Sequence, residues 1–320
     1  MKKQKKIYFI FNPGAGKGAI KADLFGIIDT FTKSGYEVTI YPTQKCGEAA
    51  GKVKEAIESD RYCLIVCSGG DGTLGEVVGG VMESEKQLPI GYIPAGTSND
   101  FARSVGISKD AYYACETILT GLPLCCDIGK FVLNNSGDNT SSTKYFTYIA
   151  AFGAFTEVAY ETPQFSKNIF GRGAYVFEGA RRIPSIQGFE MTIEHDAGTL
   201  KGDFAYGMIT NSKSIGGGVL TQKDSGLDDG VFECTFIRMP SGAIELQKIL
   251  MNLVNLNTDI HNAGVTRFKS SVLKIKSKQE IQWTLDGEFG AITDRIEIYN
   301  KCKAINIMVP TRNGLIENNF

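Results

Sequence analysis

The first 125 residues alternate short apolar runs with amphipathic segments, and this alternation constrains the fold more than any other feature. The runs at 6–11, 62–68 and 88–96 predict buried strands, and 62–68 is apolar almost throughout, as in a parallel strand covered on both faces. A further strand is predicted at 36–43, and helices at 19–35, 46–60, 73–83 and 110–121. Alternating strands and helices indicate a parallel α/β sheet with its functional loops at the carboxyl ends of the strands.

From about residue 127 the strand-like runs follow one another without helices between most of them, which predicts antiparallel sheet arranged as a β-sandwich. A turn-rich linker at 134–142 interrupts these runs, and one helix is predicted at 241–255. The sequence therefore predicts two domains, an α/β domain at 1–130 and a β-sandwich domain at 131–307. The tail, about 308–320, is a segment that can rejoin the first domain.

Composition and charge exclude several classes of protein. Lys and Arg total 34 and Asp and Glu total 35, so the net charge of −1 gives no reason to expect nucleic acid as a partner. No run approaches the ~20 apolar residues of a membrane-spanning helix, so any membrane contact is expected to be peripheral. The basic start, MKKQKK, precedes an apolar run too short for a signal peptide. Eight cysteines without a C-x-x-C pair favour the cytoplasm, and two distant histidines argue against zinc.

Glycine-rich turns follow the first and third predicted strands. The turn NPGAGKG at 12–18 lacks the ending of a P-loop, and alone it is more often only a turn. The turn SGGDGT is more informative, because Gly69 and Gly70 allow a ligand to approach the backbone while Asp71 projects from the strand end. Thr73 can cap the following helix or bind a phosphate oxygen. This turn predicts a nucleotide-phosphate site.

A second acidic turn, PAGTSNDFAR at 94–103, follows the next strand. Gly96 and Thr97 form another close-approach turn, and Asp100 supplies a second carboxylate. Two acids at adjacent strand ends suit a magnesium ion that bridges nucleotide phosphates, although Asn99 and Asp100 can also simply cap a helix. Asp127 is either a third acid of this site or a polar residue at a strand end, and the residues alone leave both readings open.

Six motifs occur here in the order NPGAGKG, GGDGTLGEVVGGV, PAGTSNDFAR, CDIGK, GLDDGVF and LDGE. In this order they resemble the diacylglycerol kinase catalytic-domain family, in particular its soluble bacterial branch, which is related to sphingosine and ceramide kinases. The resemblance spans residues 5–310. GGDGT alone also occurs in close versions in NAD kinases and phosphofructokinases, so the ordered set carries the specificity.

The resemblance implies ATP and Mg²⁺ as cofactors and a lipid hydroxyl as the acceptor, with the active site in the cleft between the two domains. Asp71, Asp100 and Asp127 match acids that organise the catalytic magnesium. Asp229, with the carbonyls of Gly226 and Val231, matches a structural magnesium site. The nucleotide-binding set consists of Asn12, Pro13, Gly14, Ala15, Gly16, Thr43, Gly69, Gly70, Asp71, Gly72, Thr73, Leu74, Gly75, Glu76, Thr97 and Asn99.

Glu288, in TLDGEFG, matches the family's general base. An alcohol is a poor nucleophile, and a positioned carboxylate can take its proton as phosphorus is attacked. Without the resemblance, the Asp-Gly pair before Glu288 indicates only a hairpin tip. Gly75 departs from the family, which often has Asn there. The basic segment 163–184 suits either an anionic membrane surface or an ordinary solvated helix face.

The predicted activity is transfer of the ATP γ-phosphoryl group to diacylglycerol, which gives phosphatidic acid. Alternatives are a kinase for another lipid such as a sphingoid base, an NAD kinase-like enzyme and a non-catalytic lipid-binding protein. The sequence lacks the Thr-Gly-Ser-Thr-Ala-like acceptor loop of NAD kinases, and its full set of acids argues against a non-catalytic protein. The resemblance makes a homodimer an expectation, with cytoplasmic location and peripheral membrane association during turnover.

Overall fold

The computed structural model describes residues 5–18, 20–134, 141–153, 187–211, 214–215, 220–221, 226–242, 245 and 264–311. The helices are α1 (Ile20–Lys33), α2 (Glu48–Glu58), α3 (Asp71–Met82), α4 (Asp100–Val105) and α5 (Ala111–Thr120), with a 3₁₀ turn at Ala15–Gly18. The strands are β1 (Lys5–Phe11), β2 (Tyr36–Pro42), β3 (Leu64–Gly69), β4 (Ile90–Pro94), β5 (Leu122–Asn134), β6 (Ser141–Phe146), β7 (Ile149–Gly153), β8 (Phe189–His195), β9 (Gly198–Thr210), β10 (Ser214–Ile215), β11 (Leu220–Thr221), β12 (Phe232–Arg238), β13 (Val265–Ser270), β14 (Val272–Leu285) and β15 (Glu288–Val309).

These elements form two compact units. Unit 1 comprises the described residues of Met1–Ile128, Ser212–Gly230 and Lys301–Phe320, and unit 2 comprises those of Gly129–Asn211 and Val231–Asn300. The sequence prediction placed boundaries at 130 and 307, with a tail that can rejoin the first domain, and assigned 212–230 to the second domain. The structure instead places the described residues of that segment in unit 1, where β10 lies against α4.

Unit 1 is built on a parallel sheet with the strand order β2-β1-β3-β4. The end of β15 adds beside β4 in the same direction, at Ile307 and Ile90. The strand register pairs Phe11 with Ser68 and Gly69 with Pro94, so the turns after β1, β3 and β4 emerge at one edge of the sheet. The parallel sheet predicted for this part of the chain is therefore confirmed.

Unit 2 consists of antiparallel strands around an aromatic core, which confirms a β-rich second half. Trp283 is fully buried, and its ring lies 4.9 Å from that of Phe152 and 5.6 Å from that of Phe131. A break at residues 147–148 separates β6 from β7. β14 is continuous from Val272 to Leu285, with an irregular register between Lys276 and Ile281.

The predicted helix at 241–255 and the basic segment 163–184 lie largely or wholly outside the described residues, as does most of the linker at 134–142. Within the part of the chain that the structure describes, no helix has the length and hydrophobicity needed to cross a bilayer.

Candidate active site

Three turns meet at the carboxyl edge of the unit 1 sheet. The amide of Asn12 donates to the carbonyl of Ser68 at 2.9 Å, and the Asn12 side chain accepts from the amide of Gly14 at 2.9 Å. Gly16, with φ of 54°, lies very close to the turn after β4. A Cβ on Gly16 would be 2.1 Å from the carbonyl oxygen of Ala95. The first turn, which also carries Pro13 and Ala15, is therefore held against the turns after β3 and β4.

Glycines allow the turns after β3 and β4 to touch. The amide of Ala95 donates to the carbonyl of Gly69 at 2.8 Å. A Cβ on Gly96 would lie 2.5 Å from the Cα of Gly70, closer than packed atoms approach. Backbone therefore packs directly on backbone here, and exposed amides in such a turn can face an anion.

Asp71 joins these two turns through its side chain. It is the first residue of α3, and its buried carboxylate accepts from the amides of Asp100 at 3.1 Å and Phe101 at 3.2 Å. These amides begin α4, whose preceding residue Asn99 makes no side-chain cap. Burial raises the pKa of Asp71, while the bonds from Phe101 and Asp100 oppose that shift. The carboxylate, predicted to project from the strand end, is thus held by the amides of the neighbouring turn.

Tyr92 is a residue of this site that the sequence analysis missed. Its fully buried hydroxyl lies 3.1 Å from the carbonyl oxygen of Gly69 and 3.4 Å from Oδ1 of Asn99. The Asn99 side chain in turn accepts from the amide of Gly96 at 2.9 Å and donates to its carbonyl at 2.8 Å. A tyrosine within an apolar strand gives no sequence signal for this contact, since aromatic residues are common in strands.

The other predicted nucleotide-binding residues lie on the surrounding elements. Thr43 follows β2, and both its amide and its hydroxyl donate to the carbonyl of Phe11, at 2.9 Å and 3.3 Å. Gly72, Thr73, Leu74 and Gly75 form the first turns of α3, where Thr73 and Leu74 are buried. The carboxylate of Glu76 binds the amides of Gly47 and Ala49. The carbonyl of Thr97 accepts from Lys109 Nζ at 3.2 Å.

Asp127 connects three segments of unit 1. Its fully buried carboxylate accepts from the amides of Gly230 at 2.6 Å and Lys303 at 2.7 Å, while its own amide donates to the carbonyl of Leu227 at 2.7 Å. Asp127 thus lies within β5 rather than at a strand end, and its carboxylate organises the 226–230 turn. Its place in a magnesium site stays a prediction.

The 226–230 turn has the donor chemistry for a hard cation. A Cβ on Gly226 would lie 2.8 Å from the carboxyl carbon of Asp229, so the Asp229 carboxylate packs directly against the Gly226 backbone. Carboxylate and carbonyl oxygens suit Mg²⁺, which needs only one or two carboxylates when water and phosphate complete its shell. Within the described ranges, no group of three or more His, Cys, Asp or Glu side chains is arranged to hold a metal ion.

Glu288 lies in unit 2, directly after a two-residue hairpin. Asp286 and Gly287 have φ of 50° and 81°, and Leu285 pairs with Glu288 across the turn, so the hairpin predicted from the Asp-Gly pair is confirmed. Glu288 is exposed. Glu288 is the first residue of β15, and the ring of the next residue, Phe289, lies below the ammonium of Lys144.

Asp286, in the turn of this hairpin, binds the break between β6 and β7 and was not singled out in the sequence. Its buried carboxylate accepts from the amide and hydroxyl of Thr147 at 2.6 Å and 2.9 Å, and from the amides of Tyr148 and Ile149, both at 3.0 Å. These are the residues at which β6 ends and β7 begins, so the carboxylate replaces the strand pairing that the break removes.

Comparison with known proteins assigns the family. The diacylglycerol kinase catalytic domain model matches residues 6–131. A diacylglycerol kinase of Bacillus subtilis strain 168 is 31% identical over 307 residues, which cover 96% of this chain and 97% of the relative. One from Staphylococcus epidermidis strain ATCC 12228 is 34% identical over 287 residues, or 90% of this chain and 87% of the relative. This chain belongs to the diacylglycerol kinase family.

Solved structures show the same fold. A diacylglycerol kinase structure from Bacillus anthracis str. Sterne has a TM-score of 0.70 at 19% identity and covers 97% of this chain and 98% of its own. Yeast NADH kinase, solved with NADH, has a TM-score of 0.54 at 14% identity, with coverage of 100% and 90%. The α/β arrangement is thus shared beyond the diacylglycerol kinase family, while the family match itself includes all three turns and Asp127.

Proposed function

We propose that the chain is an ATP-dependent lipid kinase that transfers the γ-phosphoryl group of ATP to the hydroxyl of diacylglycerol and releases phosphatidic acid. The observation that carries this proposal is the pair of bonds from the amides of Asp100 and Phe101 to the Asp71 carboxylate. They hold the two glycine turns together at the strand ends, where α/β sheets bind phosphates. The acceptor follows from the relatives, which are named diacylglycerol kinases.

Backbone amides of the three turns are the donors expected to hold the nucleotide phosphates, because close-packed glycines leave room for an anion beside the chain. Asp71, Asp100 and Asp127 would organise the catalytic Mg²⁺, and Asp229 with the carbonyls of Gly226 and Val231 would hold a structural ion. Both donor sets consist of oxygen atoms, as Mg²⁺ requires. When bound, the ion neutralises phosphate charge, which is its usual contribution to phosphoryl transfer.

Glu288 would accept the proton of the lipid hydroxyl. The hydroxyl oxygen forms a bond to the γ-phosphorus, the bond from that phosphorus to the ADP oxygen breaks, and the proton moves to the Glu288 carboxylate. Glu288 is exposed in unit 2, and the hairpin at Asp286 and Gly287 fixes its backbone. Both features are consistent with a base that is accessible to the hydroxyl of an incoming lipid.

The proposal extends to the setting of the reaction. A lipid acceptor requires peripheral contact with a membrane surface during turnover. We also propose that the chain forms a homodimer, on the basis of its resemblance to the family. All eight cysteines are free in the structure, which suits the reducing cytoplasm.

The test is transfer of radiolabelled phosphate from magnesium-ATP to mixed vesicles that contain diacylglycerol, monoacylglycerol, sphingosine, ceramide or undecaprenol, with NAD as a soluble acceptor. We expect labelled phosphatidic acid. Glu288→Gln should lower kcat by about 100-fold or more, the usual contribution of a general base. The matched control is Glu280→Gln, another exposed glutamate in unit 2, which should retain activity.

Transfer to sphingosine or NAD in place of diacylglycerol would replace the proposed acceptor. No transfer to any acceptor would refute the kinase assignment, and a fully active Glu288→Gln variant would remove Glu288 as the base.

A further inference from the structure

Helix α2 begins without a cap of its own. The residue before it, Gly47, has φ of 80° and no side chain, and no local side chain caps the helix. The first amides of a helix have no partner within the helix and need an acceptor from elsewhere. Serine, threonine, asparagine or aspartate usually supplies one.

Glu76, on α3, supplies the missing acceptor from a different element. Its Oε1 accepts from the amide of Gly47 at 2.7 Å, and its Oε2 accepts from the amide of Ala49 at 3.0 Å. The thiol of Cys46 lies 3.6 Å from Oε1. Both carboxylate oxygens are thus directed at the start of α2, where a negative charge also interacts favourably with the helix dipole.

The loop that Glu76 holds is fixed at its other end as well. Glu48 accepts from the amide of Gln44 at 2.7 Å and from the hydroxyl of Tyr41 at 2.9 Å. Within the same loop, Thr43 is bonded through its amide and hydroxyl to the carbonyl of Phe11, directly before the Asn12 turn. The loop at 43–47 therefore links the first glycine turn to α3, the helix that follows the GGDG turn.

We propose that Glu76 is a positioning residue of the nucleotide site, which caps α2 and thereby holds Thr43 beside the first glycine turn without contacting the nucleotide itself. The inference deepens the proposed function and rests on it for the identity of the nucleotide. Its physical basis is that both carboxylate oxygens already bind backbone amides. A further carboxylate placed against a triphosphate would instead repel it.

The first measurement uses the nucleotide-free protein. Amide hydrogen exchange at Gly47 and Ala49 should become about tenfold faster in Glu76→Gln, the scale of losing a helix cap. Glu83→Gln is the matched control, because Glu83 is an exposed glutamate at the end of the same helix and far along it from the cap. It should leave exchange at both amides unchanged. Unchanged exchange in Glu76→Gln would overturn the inference.

The second measurement separates positioning from direct contact. For Glu76→Gln we expect the KM for magnesium-ATP and the Kd for a non-hydrolysable magnesium-ATP analogue to rise about tenfold, with kcat changed by less than about threefold. Glu76→Asp, which keeps the charge on a shorter side chain, should recover part of the affinity. A large loss of kcat with an unchanged KM would overturn the inference, because it would indicate contact with the reacting phosphate.

The outcomes remain distinguishable from a failure of the proposed function. If the unmodified chain transfers phosphate to no acceptor, the kinase assignment fails. The exchange rates and the binding of the nucleotide analogue need no acceptor, so they still support or overturn the assignment of Glu76.

Discussion

Asp286, Asp71 and Asp127 are buried carboxylates that bind backbone amides, and each lies where two segments distant in sequence meet. An unpaired buried amide costs about 1–3 kcal/mol, so a carboxylate that accepts two or more of them stabilises a local arrangement that regular pairing does not provide. Such a carboxylate also carries the cost of its own desolvation. For Asp71 and Asp286, the cost of burial is the larger of the two effects on the pKa, which is raised.

Asp286 provides a prediction of pH dependence. Burial raises its pKa to about 6 despite opposition from the Thr147, Ile149 and Tyr148 amides and the Thr147 hydroxyl, whereas an unfolded aspartate titrates near about 3.9. Between these values the folded state binds a proton that the unfolded state does not. The stabilising contribution is therefore fully present below about pH 4 and is lost as the pH rises through about 6.

We expect the free energy of unfolding of the unmodified chain, relative to Asp286→Asn, to increase by about 2 kcal/mol as the pH falls from about 7.5 to about 4. Urea unfolding across this range measures it. Asn tolerates the left-handed backbone of this position, so the variant is expected to fold. Asp203→Asn, at an exposed site in the same unit, is the control. Parallel pH profiles for the unmodified chain and Asp286→Asn would contradict the assignment.

At the scale of elements, the site depends on how closely the turns after β3 and β4 approach each other. Gly70 and Gly96 face each other. The buried hydroxyl of Tyr92 links the two turns, because it bonds to the carbonyl of Gly69 in one and to the Asn99 side chain in the other. The parallel register of β3 and β4 places the turns side by side, and the absence of side chains lets them touch. Neither the strands alone nor the glycines alone would produce this contact.

Gly96→Ala tests this contact. A Cβ there would lie 2.5 Å from the Cα of Gly70 and 2.8 Å from Oδ1 of Asn99, so the turns must separate. We expect a loss of about 2 kcal/mol in the free energy of unfolding and a higher KM for magnesium-ATP. Urea unfolding and initial-rate kinetics provide the two measurements.

Gly79→Ala is the matched control, because its Cβ would enter open space on α3. This change should stabilise the chain by somewhat under about 1 kcal/mol, since alanine is a better helix former than glycine. Equal effects of the two substitutions would show that the turn contact does not contribute.

At the scale of the whole molecule, the proposed tasks are divided between the units. The three glycine turns, Asp71, Asp100 and Asp127 all belong to unit 1, whereas Glu288 belongs to unit 2. The chain passes between the units after residues 128, 211, 230 and 300. Each unit is therefore assembled from separate stretches of sequence.

This division predicts that nucleotide binding and proton transfer can be separated. At about 100 times its Kd, magnesium-ATP should raise the thermal midpoint of the unmodified chain by about 3 °C. Glu288→Gln should keep this shift while it loses activity, and Asp71→Asn should lose most of it. Differential scanning fluorimetry measures the midpoints. Loss of the shift in Glu288→Gln would place that residue in nucleotide binding.

Much of the architecture was predictable from local pattern. Apolar runs alternating with amphipathic helices predicted the parallel sheet, because strands and helices each have a characteristic spacing of apolar residues that can be seen in the sequence. The Asp-Gly pair predicted the hairpin before Glu288, since few other pairs adopt its backbone angles. The order of the glycine and acidic motifs indicated the family, because six motifs in one order are far more specific than any one of them.

The partners of the key side chains were decided only by the tertiary structure. Asp71 reaches amides about thirty positions away, Glu76 caps a helix that precedes it, and Asp127 binds Lys303. The contacts of Tyr92 and Asp286 gave no sequence signal. The described residues of 212–230 belong to unit 1, although the sequence placed them in the second domain. Periodicity reports which face of an element is buried, but contacts between distant segments depend on strand register and on how elements pack, which no local pattern contains.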